Sequence, residues 1–138
     1  MYQHIWDDTI LTVLFTGSTS GAEIKRSVIE AQNDARFAAI RYKIVHLHSC
    51  HLVHTDEETT REIARLHYAA APKNPHLQIA VITSNPAVIE FVFDYINLNI
   101  SKYPLSIFSS YHEVNQWMER KKSIHGTPSC ADRCANGS

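Results

Sequence analysis

Tyr42-Lys43-Ile44-Val45-His46-Leu47-His48 decides the fold of this chain. Its β-branched and apolar residues fall on both alternating faces, the pattern of a strand covered on two sides within a parallel sheet. Shortly after it, Thr55-Asp56-Glu57-Glu58 sets a hydroxyl and a carboxylate three residues apart, the signature of a capping box with Thr55 as N-cap. Ile63, Leu66 and Ala70 then form one stripe at helical spacing, and Pro72 with Asn74-Pro75 closes the helix. A strand, a loop and a helix in this order make the start of a β-α unit.

The flanking sequence repeats the theme. On the N-terminal side, Tyr2 to Trp6 and Ile10 to Phe15 are short apolar stretches joined by Asp7-Asp8, which predicts a hairpin. Ser20-Gly-Ala-Glu23 is another capping box, and Ile24, Val28 and Ala31 give the inward stripe of a helix over Gly21 to Asn33. On the C-terminal side come a strand over Leu77 to Thr83, a helix over Ala87 to Asn97 opened by Asn85 and Pro86, and a strand over Leu105 to Phe108. Ser110-Tyr-His-Glu113 opens a last helix with Val114, Trp117 and Met118 inward and basic residues at its end, where they suit the helix dipole. The order β-β-α-β-α-β-α-β-α predicts a single α/β domain over residues 1–122: a mostly parallel sheet of about five strands, about four helices and right-handed crossovers. Residues 123–138 carry Gly, Pro and Ser without periodicity and read as a disordered tail.

Composition narrows the function classes. Thirteen basic and fourteen acidic side chains in 138 residues leave a charge of −1, which offers no electrostatic case for nucleic acid or an anionic membrane as partner. Protonating all nine histidines would carry the charge to +8, a large swing for a domain of this size. Three cysteines, Cys50, Cys130 and Cys134, make no disulfide framework. With no signal-like N-terminus and no run long enough to span a bilayer, the expectation is a cytoplasmic protein without membrane insertion. No Gly-rich phosphate loop and no facing pair of carboxylates can be placed, so the chain reads as non-enzymatic with no catalytic residue assigned.

The densest chemistry lies in His46-Leu-His48-Ser49-Cys50-His51-Leu-Val-His54, four histidines and a cysteine in nine residues. His46 and His48 share one face of an extended strand, and with His51 or His54 they could present three nitrogens to zinc if the loop folds back; Cys50 and Asp56 stand in reserve. The spacing matches no specific metal signature, and histidines hydrogen-bonded to neighbouring carbonyls are the competing account, so no cofactor is assigned. Cys50 beside His51 lacks an orienting third group, and adjacent residues of an extended chain point apart, which disfavours a catalytic thiol. In the tail, Cys130 and Cys134 with His125 could hold only an adventitious metal.

The opening hairpin, the Gly-containing turn into the first helix and the strand-loop-helix from Tyr42 to Leu66 resemble the STAS superfamily, the fold of SpoIIAA-type anti-sigma-factor antagonists. More closely, the chain resembles small stand-alone bacterial STAS/SEC14-like proteins. The resemblance spans Tyr2 to about Lys122. In that family a serine at the start of this helix is phosphorylated, and the resemblance puts Asp56 at its position and Glu57 at the neighbouring glycine. The phospho-switch motif is therefore not intact. Thr55 and Ser49 are the nearby hydroxyls, and the acids already at the helix start would repel an added phosphate.

These readings make His46, His48, Ser49, His51, His54, Thr55 and Asp56 the expected contact loop of a regulatory module that binds a protein partner. A second surface is expected on the third helix, whose Phe91, Tyr95 and Leu98 could meet a second copy of the chain, unless Asn97 to Pro104 wraps over them. The SEC14-like side of the resemblance implies a further possibility, a small lipophilic ligand between the sheet and this helix.

Overall fold

The computed structural model describes the backbone of residues 1–126 and the side chains of residues 1–121. Strands β1 (Tyr2–Asp7) and β2 (Ile10–Phe15) form the opening hairpin, paired antiparallel from Tyr2 with Phe15 to Asp7 with Ile10. Asp8 turns the corner with φ of 54°, a left-handed conformation that aspartate tolerates. A short strand β3 (Gly17–Ser20) leads directly into α1 (Gly21–Asn33), followed by a 3-10 turn (Ala35–Ala39), β4 (Tyr42–His46), β5 (Cys50–Val53) and α2 (Glu57–Ala70). The chain continues through β6 (Gln78–Ile82), α3 (Pro86–Asn97), β7 (Leu105–Phe108) and α4 (Tyr111–Gly126).

The main sheet has the order β1-β2-β4-β6-β7, and every pairing after the hairpin is parallel. This is the expected α/β architecture, with β4 at its centre. Alternation along each strand divides the core in two. Leu11, Val13 and Phe15 of β2, with Ile79 and Val81 of β6, face α1, α2 and α3, whose buried stripes include Val28, Ala31, Ile63, Ala64, Val88 and Val92. On the other face Ile44, Ala80 and Ile82 pack under α4 through Val114, with Trp117 and Met118 at the margin. Three helices on one side and one on the other follow from the apolar residues each strand supplies to each face.

Two departures from the sequence reading matter for function. The sequence predicts one strand through His48 and then a loop, whereas β4 ends at His46 and a new strand, β5, begins at Cys50. It pairs in parallel with β3, Gly17 with Cys50 through Ser20 with Val53, as a separate two-stranded sheet. Gly-Ser-Thr-Ser carries no apolar alternation, so local pattern gave no sign of β3; the pairing exists because the chain entering α1 lies beside the chain entering α2. Gly17 adopts φ of +71°, a conformation that suits glycine, and a Cβ on Gly21 would meet Thr59 Cγ2 at 3.1 Å, which marks how closely the starts of α1 and α2 approach.

The second departure is the cap of α2. Asp56, not Thr55, is the N-cap: its Oδ1 accepts from the Thr59 N–H at 2.7 Å, so the box lies one residue later than Thr55-Glu58 implied. A carboxylate there satisfies an unpaired N–H and complements the dipole as well, which a neutral hydroxyl cannot do. At the other end of the chain α4 runs through Gly126, beyond the boundary at 122; Cys130, Cys134 and the remainder of the proposed tail lie outside the described residues, as does the side chain of His125.

Candidate functional site

At the C-terminal end of β4 the backbone hands its last residues to two environments. His46 is half-buried and stacks on Tyr111, the first residue of α4, with ring centroids 5.2 Å apart and planes 21° from parallel. The His48 ring stands edge-on to it at 6.2 Å, with Nδ1 3.5 Å from the Ser84 hydroxyl. His46 Nδ1 is buried without a hydrogen-bond partner, and desolvation, aided by the charge on His48, lowers its pKa. Leu47 turns inward, its N–H bonded to the Ile82 carbonyl at 2.9 Å, which ends the strand.

The rest of the histidine string disperses. His51 lies on β5 in the second sheet and faces solvent, and His54 is exposed with φ of 50° where the chain swings into α2. Among the described residues no three His, Cys, Asp or Glu side chains come together as a group that could hold a metal ion, so His46, His48 and His51 are not assembled into the triad that their spacing allowed. The reason is the break after His46, which moves His51 onto a different sheet. Cys50 alternates inward as His51 faces out; its thiol donates to the Leu47 carbonyl at 3.5 Å, and burial pushes its pKa up, the opposite of what a nucleophilic thiolate needs. What the segment does present is a continuous polar surface: His48, Ser49, His51, His54, Thr55 and Asp56 are all exposed. The N–H of Thr59 holds the Asp56 carboxyl below its ordinary pKa, so its charge is fixed near neutral pH.

Helix α3 corrects another expectation. Tyr95 is buried and hydrogen-bonded to His67, while Phe91 and Leu98 are half-buried against the core. Burial removes Tyr95 from any outer face, whereas Phe91 and Leu98 keep part of their surface toward a hollow shared with Thr55, Asp56 and Asn97. Ile100 and Tyr103 of the following segment pack on the same core, and the exposed apolar residues of α3 are Phe93 and Ile96. Every residue of a helix this apolar looks inward in sequence; only the rotational setting of the helix chooses among them.

A second site lies beneath α3, and sequence reading missed it. Between the sheet and the three helices is a cavity of about 60 Å³ walled by Val13, Val45, Val81, Phe91 and Val92 among others. Its polar lining is Lys43, His67, Ser27 and Tyr95. Lys43 is 3% exposed at the centre of the sheet and, among the described residues, has no acidic partner; desolvation alone lowers its pKa to about 8. His67 lies on the same α2 stripe as Ile63 and Ala70. Burial, then the charge of Lys43, drives its pKa well below the ordinary value, so the ring is neutral. Its Nδ1 pairs with the Tyr95 hydroxyl and its Nε2 is buried with no partner. Ser27 Oγ bonds His4 Nε2 at 2.9 Å. The available sequence signals were a lysine inside a strand read as buried on both faces, and a histidine in the inward register of a helix.

No protein-family model matches the chain, and no curated protein matches it in sequence. Solved structures similar in shape include the following three. The anti-sigma factor antagonist SpoIIAA in its unphosphorylated form superposes with a TM-score of 0.55 at 9% identity, covering 86% of this chain and 98% of that one. The phosphorylated form of SpoIIAA, described as a Bacillus cell fate determinant, gives 0.54 at 8% identity, with 84% and 98% covered. An uncharacterized DUF3478-family protein with a SpoIIAA-like fold from Shewanella loihica PV-4 gives 0.52 at 11% identity, with 85% and 91% covered. The chain therefore has the SpoIIAA-like, or STAS, fold that its sequence resembled. No helix among the described residues is long and apolar enough to cross a membrane.

Proposed function

We propose that this chain is a regulatory binding module that contacts a protein partner through the exposed segment from His48 to Asp56. The observation that carries the reading is the concentration of solvent-facing polar side chains on one short segment, braced below by the β3-β5 pair and the start of α2. A rigid frame under a polar segment favours recognition, because the contacting groups are held before the partner arrives. The SpoIIAA-like fold supports a partner that is a protein, since the SpoIIAA relative is an anti-sigma factor antagonist. Asp56 supplies a permanent negative charge at the helix start, where the STAS resemblance places a phosphorylated serine, and so imitates one state of that switch without the chemistry.

Site-specific photocrosslinking in the native host tests this. A crosslinker at Ser49 or His51 should capture one discrete protein, and Asp56→Arg should abolish the capture. A crosslinker at Lys73, at the far end of α2, should capture nothing. Equal capture from both ends, or none from Ser49 and His51, would overturn the reading.

The cavity beneath α3 favours a second reading, a module that carries a small apolar ligand between the sheet and this helix. Its walls are almost wholly aliphatic and aromatic, which is how pockets for apolar molecules are built.

A further inference from the structure

The cavity beneath α3 is apolar except at one corner, and that corner holds an imbalance. Lys43 Nζ brings three N–H donors and no acceptor into the interior. His67 stands close enough for the charge on Lys43 to depress its titration, and its Nε2 is buried and unpartnered. Its protonation follows from its other nitrogen. The Tyr95 hydroxyl meets His67 Nδ1. A phenol is the better donor and a neutral imidazole nitrogen the better acceptor, and with Tyr95 donating to Nδ1 the proton of the neutral ring resides on Nε2. Two donors, one of them cationic, thus border the same cavity. The remaining polar lining group, the Ser27 hydroxyl, is engaged with His4 on β1, and no carboxylate among the described residues pairs with Lys43.

A buried ammonium without a counterion is costly, and natural interiors pair such groups with an acid or an anion. No described residue supplies that counterion to Lys43. The space left for it is about 60 Å³ at the scale of water centres; at roughly 10–15 Å³ per water-sized group, this takes about four to six heavy groups. The walls allow one charged end only, because beyond the Lys43 corner everything is hydrocarbon or aromatic ring. Tyr95 and Leu105 also border a separate hollow of about 230 Å³ formed by the segment between α3 and β7.

We infer that this cavity binds a small monocarboxylic acid with an apolar tail, its carboxylate held between Lys43 Nζ and His67 Nε2 and its tail lying against Val81, Phe91 and Val92. The inference rests on the second reading above, that the cavity takes an apolar ligand, and adds the charge and size of that ligand. One anionic end meets the Lys43 charge and the unpartnered His67 Nε2 together, whereas an alcohol of the same length would leave the ammonium without a counterion. A dianion or a sugar would place polar atoms against hydrocarbon with nothing to bond them.

Butanoate and 1-butanol, matched in length, are the probes. Titrations followed by methyl NMR should shift Val13, Val81 and Val92, which places the ligand, and butanoate should bind at least tenfold more tightly than butanol. Lys43→Met should weaken butanoate at least tenfold while leaving butanol within about twofold. Calorimetry of the unaltered protein at pH 9, in buffers of different ionisation enthalpy, should show close to one proton taken up per butanoate bound, because the carboxylate returns the Lys43 ammonium to its charged form. That measurement needs no variant to fold. Equal binding of acid and alcohol, or no proton uptake, would overturn the carboxylate inference and leave the apolar cavity standing. Failure of both probes to shift the cavity methyls would remove the carrier reading with it.

Discussion

Two groups of basic residues in this molecule teach opposite lessons. The string from His46 to His54 is conspicuous in sequence and dispersed in space: one ring stacks on Tyr111, one stands beside it, and two face water from other elements. Lys43 and His67 lie far apart in sequence and meet in the core, where His67 Nε2 is buried without a hydrogen-bond partner and Lys43 has no acidic partner among the described residues. Density along a chain does not make a site when a strand break intervenes. Convergence of elements can make one from residues that draw no notice. Stability should follow the same division, concentrated on the buried pair and nearly absent from the string.

The largest expected effect is at Lys43. Its native pKa of about 8 lies below the usual 10.5, so between these pH values the unfolded chain holds a proton that the folded one has lost. Stability therefore rises with pH across that window, by about 3 kcal/mol from this residue at about 1.4 kcal/mol per unit. Above pH 10 the buried hydroxyls of Tyr95 and Tyr103, both pushed up to about 12, act in the other direction, because the folded chain keeps protons that the unfolded chain gives up. Lys43→Met should stabilise the protein at pH 7 by about 2 kcal/mol and remove the rise, as when a buried charge is replaced by a well-packed apolar group. Urea denaturation at pH 7, 8, 9 and 10 checks both; a destabilised variant would show that Lys43 already has its counterion inside the fold.

A smaller effect should appear in acid. The pKa values of His67, His4 and His46 are lowered in the fold, burial being the first cause for each, so the unfolded chain binds protons more readily below pH 6.5 and stability falls as pH drops. His67 is the most deeply buried of them and should dominate. His67→Gln should flatten the acid limb between pH 6.5 and 5, and the triple change of His48, His51 and His54 to Gln should keep most of the limb, losing only what the charge on His48 adds through His46, and cost within about 0.5 kcal/mol at pH 7. An acid limb that vanished in the triple variant would reverse the comparison.

The smallest expected effect separates neighbours on the exposed segment. Asp56→Ala should cost about 1 kcal/mol through loss of the α2 cap, and Thr55→Ala only a few tenths. Thermal denaturation of the two variants decides which residue caps the helix.

Much of the fold was legible for a physical reason that these elements make explicit. The two-sided apolar pattern around Ile44 and Val45, the period of Ile24, Val28 and Ala31, and the caps at Ser20 and Asn85 act over short distances, and the structure reproduces them, Ser20 accepting from Glu23 N–H and Asn85 from Ala87 N–H. What failed depended on distance or rotation. The β3-β5 pair joins residues remote in sequence without an apolar pattern, and the inward turn of Tyr95 depends on how α3 is set against the sheet. Asp56 displaced Thr55 as cap by a single residue, a choice made by where the chain leaving β5 swings, with His54 in the left-handed region.

The sequence by itself determined the α/β order, the parallel sheet centred on Tyr42 to His46 and the polar character of the segment after it, because periodicity, capping and turn chemistry are properties of neighbours. Only the tertiary structure decided that the histidine string is split between elements and that Lys43 and His67 border one apolar cavity. Burial and desolvation belong to no residue alone; they arise when β4, α2 and α3 close on one another around an ammonium and an unpartnered imidazole nitrogen.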